Sequence, residues 1–213
     1  MAAVLFDMDG LLIDSEPVWY EVETAVVARL GGEWTRADQA ACLGGTMAAS
    51  ARYIIDRTGT SVTVDELSDE LIDEMVGRFR AALPLHEGAI ELLNAVRDRD
   101  VPVGLVSSSY RSLIDAALVG LGGDRFAVTV GGDEVAHGKP DPEPYLTACR
   151  RLGADPARTV VLEDAITGVT SAEAAGCVVV AVPSVSPIDA GPRRYVVPSL
   201  SSIDPDWLLG LTS

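Results

Sequence analysis

The chain has 213 residues, 48% hydrophobic and 23% charged, which suits one large core or a core with a smaller inserted domain. Its net charge of −16 argues against binding to nucleic acid or to an anionic membrane. The three cysteines lack metal-site or redox spacing, and no signal peptide or membrane span is recognisable, so we expect a cytoplasmic protein. The sequence leaves the oligomeric state open, and we favour a monomer.

Short valine-rich runs recur along the chain and predict the strands of a sheet. Most are continuous rather than alternating, as in strands that a parallel sheet buries on both faces. Helical spacing lies between the runs, so the pattern favours an α/β fold with a doubly wound, Rossmann-like parallel sheet. The predicted strands are residues 2–6, 101–106, 126–130, 159–162 and 177–182, with a possible sixth at 195–197.

Residues 15–82 interrupt this alternation of strands and helices. Helical spacing covers residues 18–30, 46–57 and 64–83, and no convincing strand lies among them. We therefore predict an all-helical domain over residues 15–82, inserted into a core formed by residues 1–14 and 83–213. Hinges are expected at the two crossings, near residues 14–16 and 82–84.

Chemically active side chains come directly after the predicted strands, at the end where open parallel sheets bind ligands. Carboxylates can supply hard oxygen ligands to Mg²⁺, and hydroxyl and ammonium groups can hold a phosphate. A bound Mg²⁺ would also relieve the repulsion between neighbouring carboxylates. The groups in question are Asp7, Asp9, Ser107, Ser108, Ser109, Lys139, Glu163 and Asp164.

Each of these groups also has a purely structural explanation. Aspartates after a strand often form turns or cap helices, which could apply to Asp7, Asp9 and Asp164. The three serines could likewise cap the next helix, and an isolated lysine such as Lys139 usually lies on the surface. Four such signals at four strand ends are stronger together than any one alone, so the sequence favours a magnesium and phosphate site.

Four segments together resemble the motifs of the haloacid dehalogenase superfamily of phosphohydrolases. They are "DMDGLLIDSE", "VSSS", "GKPDPEPY" and "LEDAITGV", beginning at residues 7, 106, 138 and 162. The likeness is greatest to sugar-phosphate phosphatases of the β-phosphoglucomutase-like branch, and the helical insertion resembles that family's C1 cap. The resemblance implies Mg²⁺-dependent hydrolysis of a small-molecule phosphate ester, with sugar phosphates as the expected class, through an aspartyl-phosphate.

The resemblance also implies a role for each site residue. Asp7 would be the nucleophile, and Asp9 would act as general acid and then as general base. Ser107 and Lys139 would make catalytic contacts to the phosphoryl oxygens, and Ser108 and Ser109 would add hydrogen-bond donors to the substrate. The implied metal ligands are Asp7, Asp9, Glu163 and Asp164. In the cap, the implied substrate-binding residues are Gly44, Gly45 and Thr46.

Three other functions share part of this pattern. A phosphosugar mutase of the same branch is the main alternative, but those enzymes carry a histidine where this chain has Trp19, which cannot transfer protons. L-2-haloacid dehalogenases need no acid at the position of Asp9. A response-regulator receiver also carries an aspartyl-phosphate, but it has no inserted domain such as residues 15–82. A phosphatase is therefore the favoured prediction.

Overall fold

The computed structural model describes residues 3–212, in which six strands form one all-parallel sheet. The strand order is β3-β2-β1-β4-β5-β6, and helices cover both faces, so the predicted doubly wound α/β fold is confirmed. The predicted strand ends differ from the observed ones by at most two residues, and Ala2 lies outside the described range. The strands are β1 (Ala3–Phe6), β2 (Val103–Val106), β3 (Val128–Val130), β4 (Thr159–Glu163), β5 (Val178–Ala181) and β6 (Arg194–Val196).

The continuous apolar runs arise because the central strands bury alternate side chains on opposite faces of the sheet. In β1, Val4 and Phe6 pack into one hydrophobic cluster, whereas Leu5 packs into the cluster on the other face. Helices α7 (Glu143–Leu152) and α8 (Ile166–Ala174) cover the face of Leu5. The opposite face is covered by α5 (Ala89–Arg97), α6 (Arg111–Leu121) and α9 (Pro205–Gly210), together with the inserted helices.

The inserted segment is helical, as its spacing predicts. It forms α1 (Glu16–Arg29), α2 (Arg36–Cys42), α3 (Met47–Thr58) and α4 (Val64–Ala81), and no strand is assigned within it. Helix α2 has no counterpart in the predicted elements because it is too short to show periodicity. Its local signal is a capping box in which Thr35 and Asp38 satisfy each other's backbone N–H groups.

The two crossings between core and insertion lie side by side. The backbone N–H of Asp14 donates to the carbonyl of Pro84 at 2.8 Å, and that of His86 donates to the carbonyl of Leu12 at 3.0 Å. Helix α4 packs against α6, and apolar side chains of the insertion belong to the same buried cluster as the sheet. The division into two domains, and the hinges between them, stay predictions. No helix between residues 3 and 212 is long and apolar enough to cross a membrane.

The inserted helices contain a buried carboxylate, Glu23, whose Oε2 accepts a hydrogen bond from Trp34 Nε1 at 2.9 Å. Burial raises the pKa of Glu23 to about 7; the Trp34 bond opposes this rise and the charge of Glu16 adds to it. Because the value in the unfolded chain is near 4.5, the folded protein binds more protons between these limits. This carboxyl group therefore favours folding most below pH 4.5, and that contribution is lost as the pH rises through 7.

We expect Glu23→Gln to stabilise the protein at pH 8 and to change little at pH 4.5. The amide oxygen can still accept the Trp34 hydrogen bond, but no charge is buried. The gain should be about 1 to 2 kcal/mol, since solvent screening reduces the full value of the pKa shift. Urea unfolding at both pH values measures it, with the exposed Glu33→Gln as control. An equal effect of Glu23→Gln at both pH values would contradict this explanation.

Candidate active site

A buried lysine lies between two carboxylates at the carboxyl end of the sheet. Lys139 Nζ donates to Asp7 Oδ1 at 2.5 Å, to Glu163 Oε1 at 2.6 Å and to the carbonyl of Val106 at 2.9 Å. Its side chain is 5% exposed, so the alternative of a surface lysine is wrong. Lys139 is also the sole lysine in the sequence.

The sheet topology explains why these groups meet. Strands β1 and β4 are neighbours in register, with Phe6 opposite Leu162, so Asp7 and Glu163 lie side by side. The N–H of Asp7 continues the ladder by donating to the carbonyl of Leu162 at 3.1 Å. Lys139 reaches them from the loop that connects β3 to α7.

The charges in this group perturb one another strongly. Burial raises the pKa of Asp7 well above its usual value; Lys139 opposes this rise, whereas Glu163 and Asp164 add to it. Burial, followed by the charge of Glu163, raises the pKa of Asp164 to about 7. Burial alone would lower the pKa of Lys139, but the carboxylates of Asp7 and Glu163 raise it above its usual value. The ionised group carries three negative charges and one positive charge, so a divalent cation would balance it.

The carboxylates of Asp7, Glu163 and Asp164 fit such a cation. They are buried, and one oxygen from each lies within 4.8 Å of the others. Hard oxygen donors at this spacing suit Mg²⁺, which prefers carboxylate ligands. Gly10 leaves room beside them, because a Cβ atom there would overlap the Asp164 carboxylate; its φ of 80° also favours glycine.

Asp164 is not a helix cap. The N-cap of α8 is Ala165, which makes no side-chain cap bond. The carboxylate of Asp164 instead accepts a hydrogen bond from Ser184 Oγ at 2.5 Å. The capping alternative is therefore wrong for this residue, and its side chain is directed towards the other carboxylates.

Asp9 has a different environment from Asp7. Its Oδ2 accepts hydrogen bonds from Ser107 Oγ at 3.2 Å and Ser109 Oγ at 2.8 Å, and Ser107 Oγ also accepts the N–H of Ser109. Helix α6 begins after Tyr110, which makes no side-chain cap bond, so these two serines do not cap it. Two nearby carboxylates in unlike surroundings are suited to unlike chemical roles.

Other predicted residues lie outside this hydrogen-bonded group. Ser108 is exposed, and Gly44 and Gly45 lie in an exposed turn before α3. Thr46 is the N-cap of α3, and its hydroxyl accepts the N–H of Ala49 at 3.2 Å. Within residues 3–212, no hydrogen bond or ion pair joins this turn to the carboxylates, so its substrate role stays a prediction. Trp19 is half-buried and packs against the hydrophobic cluster.

Comparison with known proteins shows to which family this chain belongs. The model of haloacid dehalogenase-like hydrolases matches residues 1–176. The chain belongs to that family. The predicted superfamily is thereby confirmed, and the four motif segments of this haloacid dehalogenase-like hydrolase meet at one edge of its sheet.

Two relatives indicate which kind of hydrolase this chain resembles, since both are named as phosphatases. The bifunctional riboflavin kinase/FMN phosphatase of Arabidopsis thaliana is 34% identical over 188 residues, which are 86% of this chain but 48% of that protein. This chain therefore spans about half of that relative. Hexitol phosphatase B of Escherichia coli K12 is 29% identical over 188 residues, covering 85% of this chain and 83% of that protein.

A solved structure, of a putative β-phosphoglucomutase from Thermotoga maritima, matches with a TM-score of 0.77 and 27% identity, covering 99% of this chain and 98% of that one. It agrees with the predicted β-phosphoglucomutase-like branch. The family match and the phosphatases among its relatives also confirm the predicted enzyme class, a phosphoric monoester hydrolase.

Sequence reasoning missed two residues of the hydrolase site. Tyr145 is fully buried, and its hydroxyl donates to Glu163 Oε1 at 2.5 Å, while its ring centroid lies 5.0 Å from Lys139 Nζ. Ser184, which bonds Asp164, lies just beyond β5. The rule that identified the other groups, inspecting the residues just beyond each strand, would have found Ser184. Tyr145 lies on α7, away from the strand ends; it is the last residue of the segment "GKPDPEPY", but no role was inferred for it from the sequence.

We expect Tyr145→Phe to lower the free energy of unfolding. The ring is kept, but the buried Glu163 Oε1 loses one of its two donors, which typically costs about 1.5 to 3 kcal/mol for a charged acceptor. Urea denaturation measures the loss. Tyr195→Phe is the matched control, because Tyr195 is an exposed residue whose hydroxyl makes no hydrogen bond within residues 3–212. Equal stability of both variants and the parent would show that the Tyr145 bond contributes nothing.

Proposed function

We propose that this hydrolase is a Mg²⁺-dependent phosphatase of small phosphate monoesters, with sugar phosphates as its substrate class. The observation that carries the proposal is the buried ammonium of Lys139 held between Asp7 and Glu163. The ammonium opposes the rise that burial causes in the pKa of the Asp7 carboxyl, and it would supply positive charge where a phosphoryl group binds. The name of the hexitol phosphatase relative supports this substrate class.

Asp7, Glu163 and Asp164, with the main-chain carbonyl of Asp9, would hold the metal. When bound, Mg²⁺ supplies positive charge that offsets these carboxylates and the phosphate oxygens. Ser184 and Lys139 orient two of the ligands through their bonds to Asp164 and Glu163.

In the first step, Asp7 attacks phosphorus. Lys139 binds Oδ1 of Asp7, which leaves Oδ2 as the attacking oxygen. The bond from phosphorus to the leaving oxygen breaks as Asp9 donates its proton to that oxygen, so the alcohol departs neutral. Ser107 and Lys139 bind phosphoryl oxygens, and Ser108 and Ser109 supply further donors.

In the second step, water removes the phosphoryl group from Asp7. Asp9, now a carboxylate, takes a proton from the water as its oxygen attacks phosphorus. The bond between phosphorus and Asp7 breaks, inorganic phosphate leaves and both aspartates return to their starting states. The two donor serines hold Asp9 in position for both transfers.

The inserted helices would act as a cap over this site. We propose that residues 15–82 form that cap and close on the core about the paired crossings, excluding water from the site. The turn that contains Gly44, Gly45 and Thr46 would then contact the leaving group. Its exposure and its short side chains support such a role, since they leave space for a ligand.

Variants of the two aspartates test the mechanism. We expect Asp7→Asn to abolish phosphate release from p-nitrophenyl phosphate, because it removes the nucleophile. Asp9→Asn should slow release by about 10²- to 10⁴-fold, the usual contribution of an acid–base group. Asp98→Asn, at an exposed position at the end of α5, is the control. Near-UV circular dichroism checks the fold, and assays with Mg²⁺ and with chelator check the metal. Wild-type rates for Asp9→Asn, or full turnover with chelator, would refute the assignment.

A phosphosugar mutase is the second candidate, because the solved Thermotoga maritima structure is a putative β-phosphoglucomutase. A mutase must protect its aspartyl-phosphate from water and activate a second sugar hydroxyl. Trp19 supplies no base for that purpose, and it packs against the hydrophobic cluster.

We expect phosphate release from glucose 6-phosphate or 2-deoxyglucose 6-phosphate and no appreciable conversion of β-glucose 1-phosphate to glucose 6-phosphate, even with a bisphosphate primer. A phosphate-release assay beside a coupled glucose-6-phosphate dehydrogenase assay compares the two reactions. Isomerisation that outpaces phosphate release would make the mutase assignment correct.

A further inference from the structure

Glu16 begins helix α1 at the junction between the core and the inserted helices. Two backbone hydrogen bonds turn the chain back beside Asp9. The N–H of Gly10 donates to the carbonyl of Ile13 at 2.8 Å, and the N–H of Ile13 donates to the carbonyl of Met8 at 3.0 Å. Asp9 and Ile13 thus lie opposite each other, and Glu16 follows within at most about 11 Å of extended chain. The first residue of α1 therefore lies near the proposed acid–base residue.

A buried glutamine of the insertion orients Glu16. Gln39 Nε2, on α2, donates to the main-chain carbonyl of Glu16 at 2.9 Å and to its Oε2 at 3.3 Å. Gln39 Oε1 accepts in turn from Arg36 Nη1 at 3.0 Å. The Arg36 guanidinium lies over the ring of Tyr20, 3.6 Å from its centroid. Glu16 is therefore held by a chain of contacts that belongs to the inserted helices.

The second carboxylate oxygen of Glu16 has no partner among residues 3–212. Oε2 accepts from Gln39, whereas Oε1 makes no hydrogen bond, and no cation there pairs with this carboxylate. The residue is half-buried, and Oε1 stays accessible to solvent. Burial, followed by the charges of Asp9 and Asp14, raises the pKa of Glu16, so the carboxyl groups of Glu16 and Asp9 are within electrostatic range of each other. A hydroxyl group can bond such a carboxyl group in either protonation state.

The position of Glu16 beside Asp9 matters for the leaving group. In the proposed mechanism Asp9 protonates the leaving oxygen, while Ser107 and Lys139 bind the phosphoryl oxygens. An unused acceptor near Asp9, on the side of the inserted helices, therefore lies where the carbon chain of the leaving alcohol would begin.

We propose that Glu16 binds a hydroxyl group of the leaving alcohol and so selects sugar and polyol phosphates over esters without hydroxyl groups. Glu16 is then a specificity-determining residue, since an unmet buried acceptor disfavours an alcohol that cannot donate to it. This role rests on the proposed phosphatase function, because it concerns the leaving group of the same reaction.

Two six-carbon esters test this selection: glucitol 6-phosphate and n-hexyl phosphate. Both are primary phosphate esters, and only the first carries hydroxyl groups. We expect Glu16→Leu to lower kcat/KM for glucitol 6-phosphate by about 10- to 100-fold, the usual effect of one hydrogen bond to a charged group. For n-hexyl phosphate the change should be below about threefold. Glu16→Gln keeps an acceptor oxygen without the charge, so its loss on glucitol 6-phosphate should be about fivefold to tenfold.

Glu33→Leu is the matched control. Glu33 is an exposed residue of the insertion and makes no hydrogen bond or ion pair within the described part of the chain, so both esters should be unaffected. Near-UV circular dichroism checks the fold, and Glu16→Gln decides the test if Glu16→Leu does not fold. An equal loss on both esters, or no loss on either, would overturn this role of Glu16 alone. Phosphate release by the parent from no ester, p-nitrophenyl phosphate included, would overturn the proposed function and this role with it.

Discussion

The arrangement of the site depends on one buried ammonium group. Asp7, Glu163 and Asp164 are brought together by neighbouring strands, and burial makes their mutual repulsion severe. Lys139 bridges two of them and is almost inaccessible to solvent. Removing one partner of such a buried pair typically costs about 3 to 5 kcal/mol, because the remaining charge is left uncompensated. Tyr145 adds a second donor to Glu163. This carboxylate is therefore bound by Tyr145 on α7 as well as by Lys139 in the loop before α7.

Asp7 and Asp9 are two residues apart yet occupy different electrostatic environments. Asp7 extends the ladder of β1 and lies against the ammonium, whereas Asp9 begins the turn beyond the strand and lies against two serine hydroxyls. Gly10 permits this turn, since it adopts a positive φ and approaches Asp164 too closely for a side chain. One short segment thus supplies two carboxylates suited to two different tasks.

The distribution of cations complements this arrangement. The chain's single lysine lies inside the site, where it pairs with Asp7 and Glu163. Positive charge is therefore concentrated at one buried point of a protein whose net charge is −16.

The sequence by itself determined the fold class and the chemical groups of the site. Continuous valine-rich runs require burial on both faces, and the residues just beyond such strands gather at one edge of the sheet. The tertiary structure decided which groups pair. Lys139 donates a hydrogen bond to Asp7, which is 132 positions away in the sequence, and Ser107 donates one to Asp9, which is 98 positions away. Whether Asp164 and the serines cap helices or bind across the site could not be predicted, since both uses have the same local sequence. Tyr145 and Ser184 were missed for a related reason: a side-chain hydrogen bond depends on how strands and helices are juxtaposed, which local periodicity does not encode.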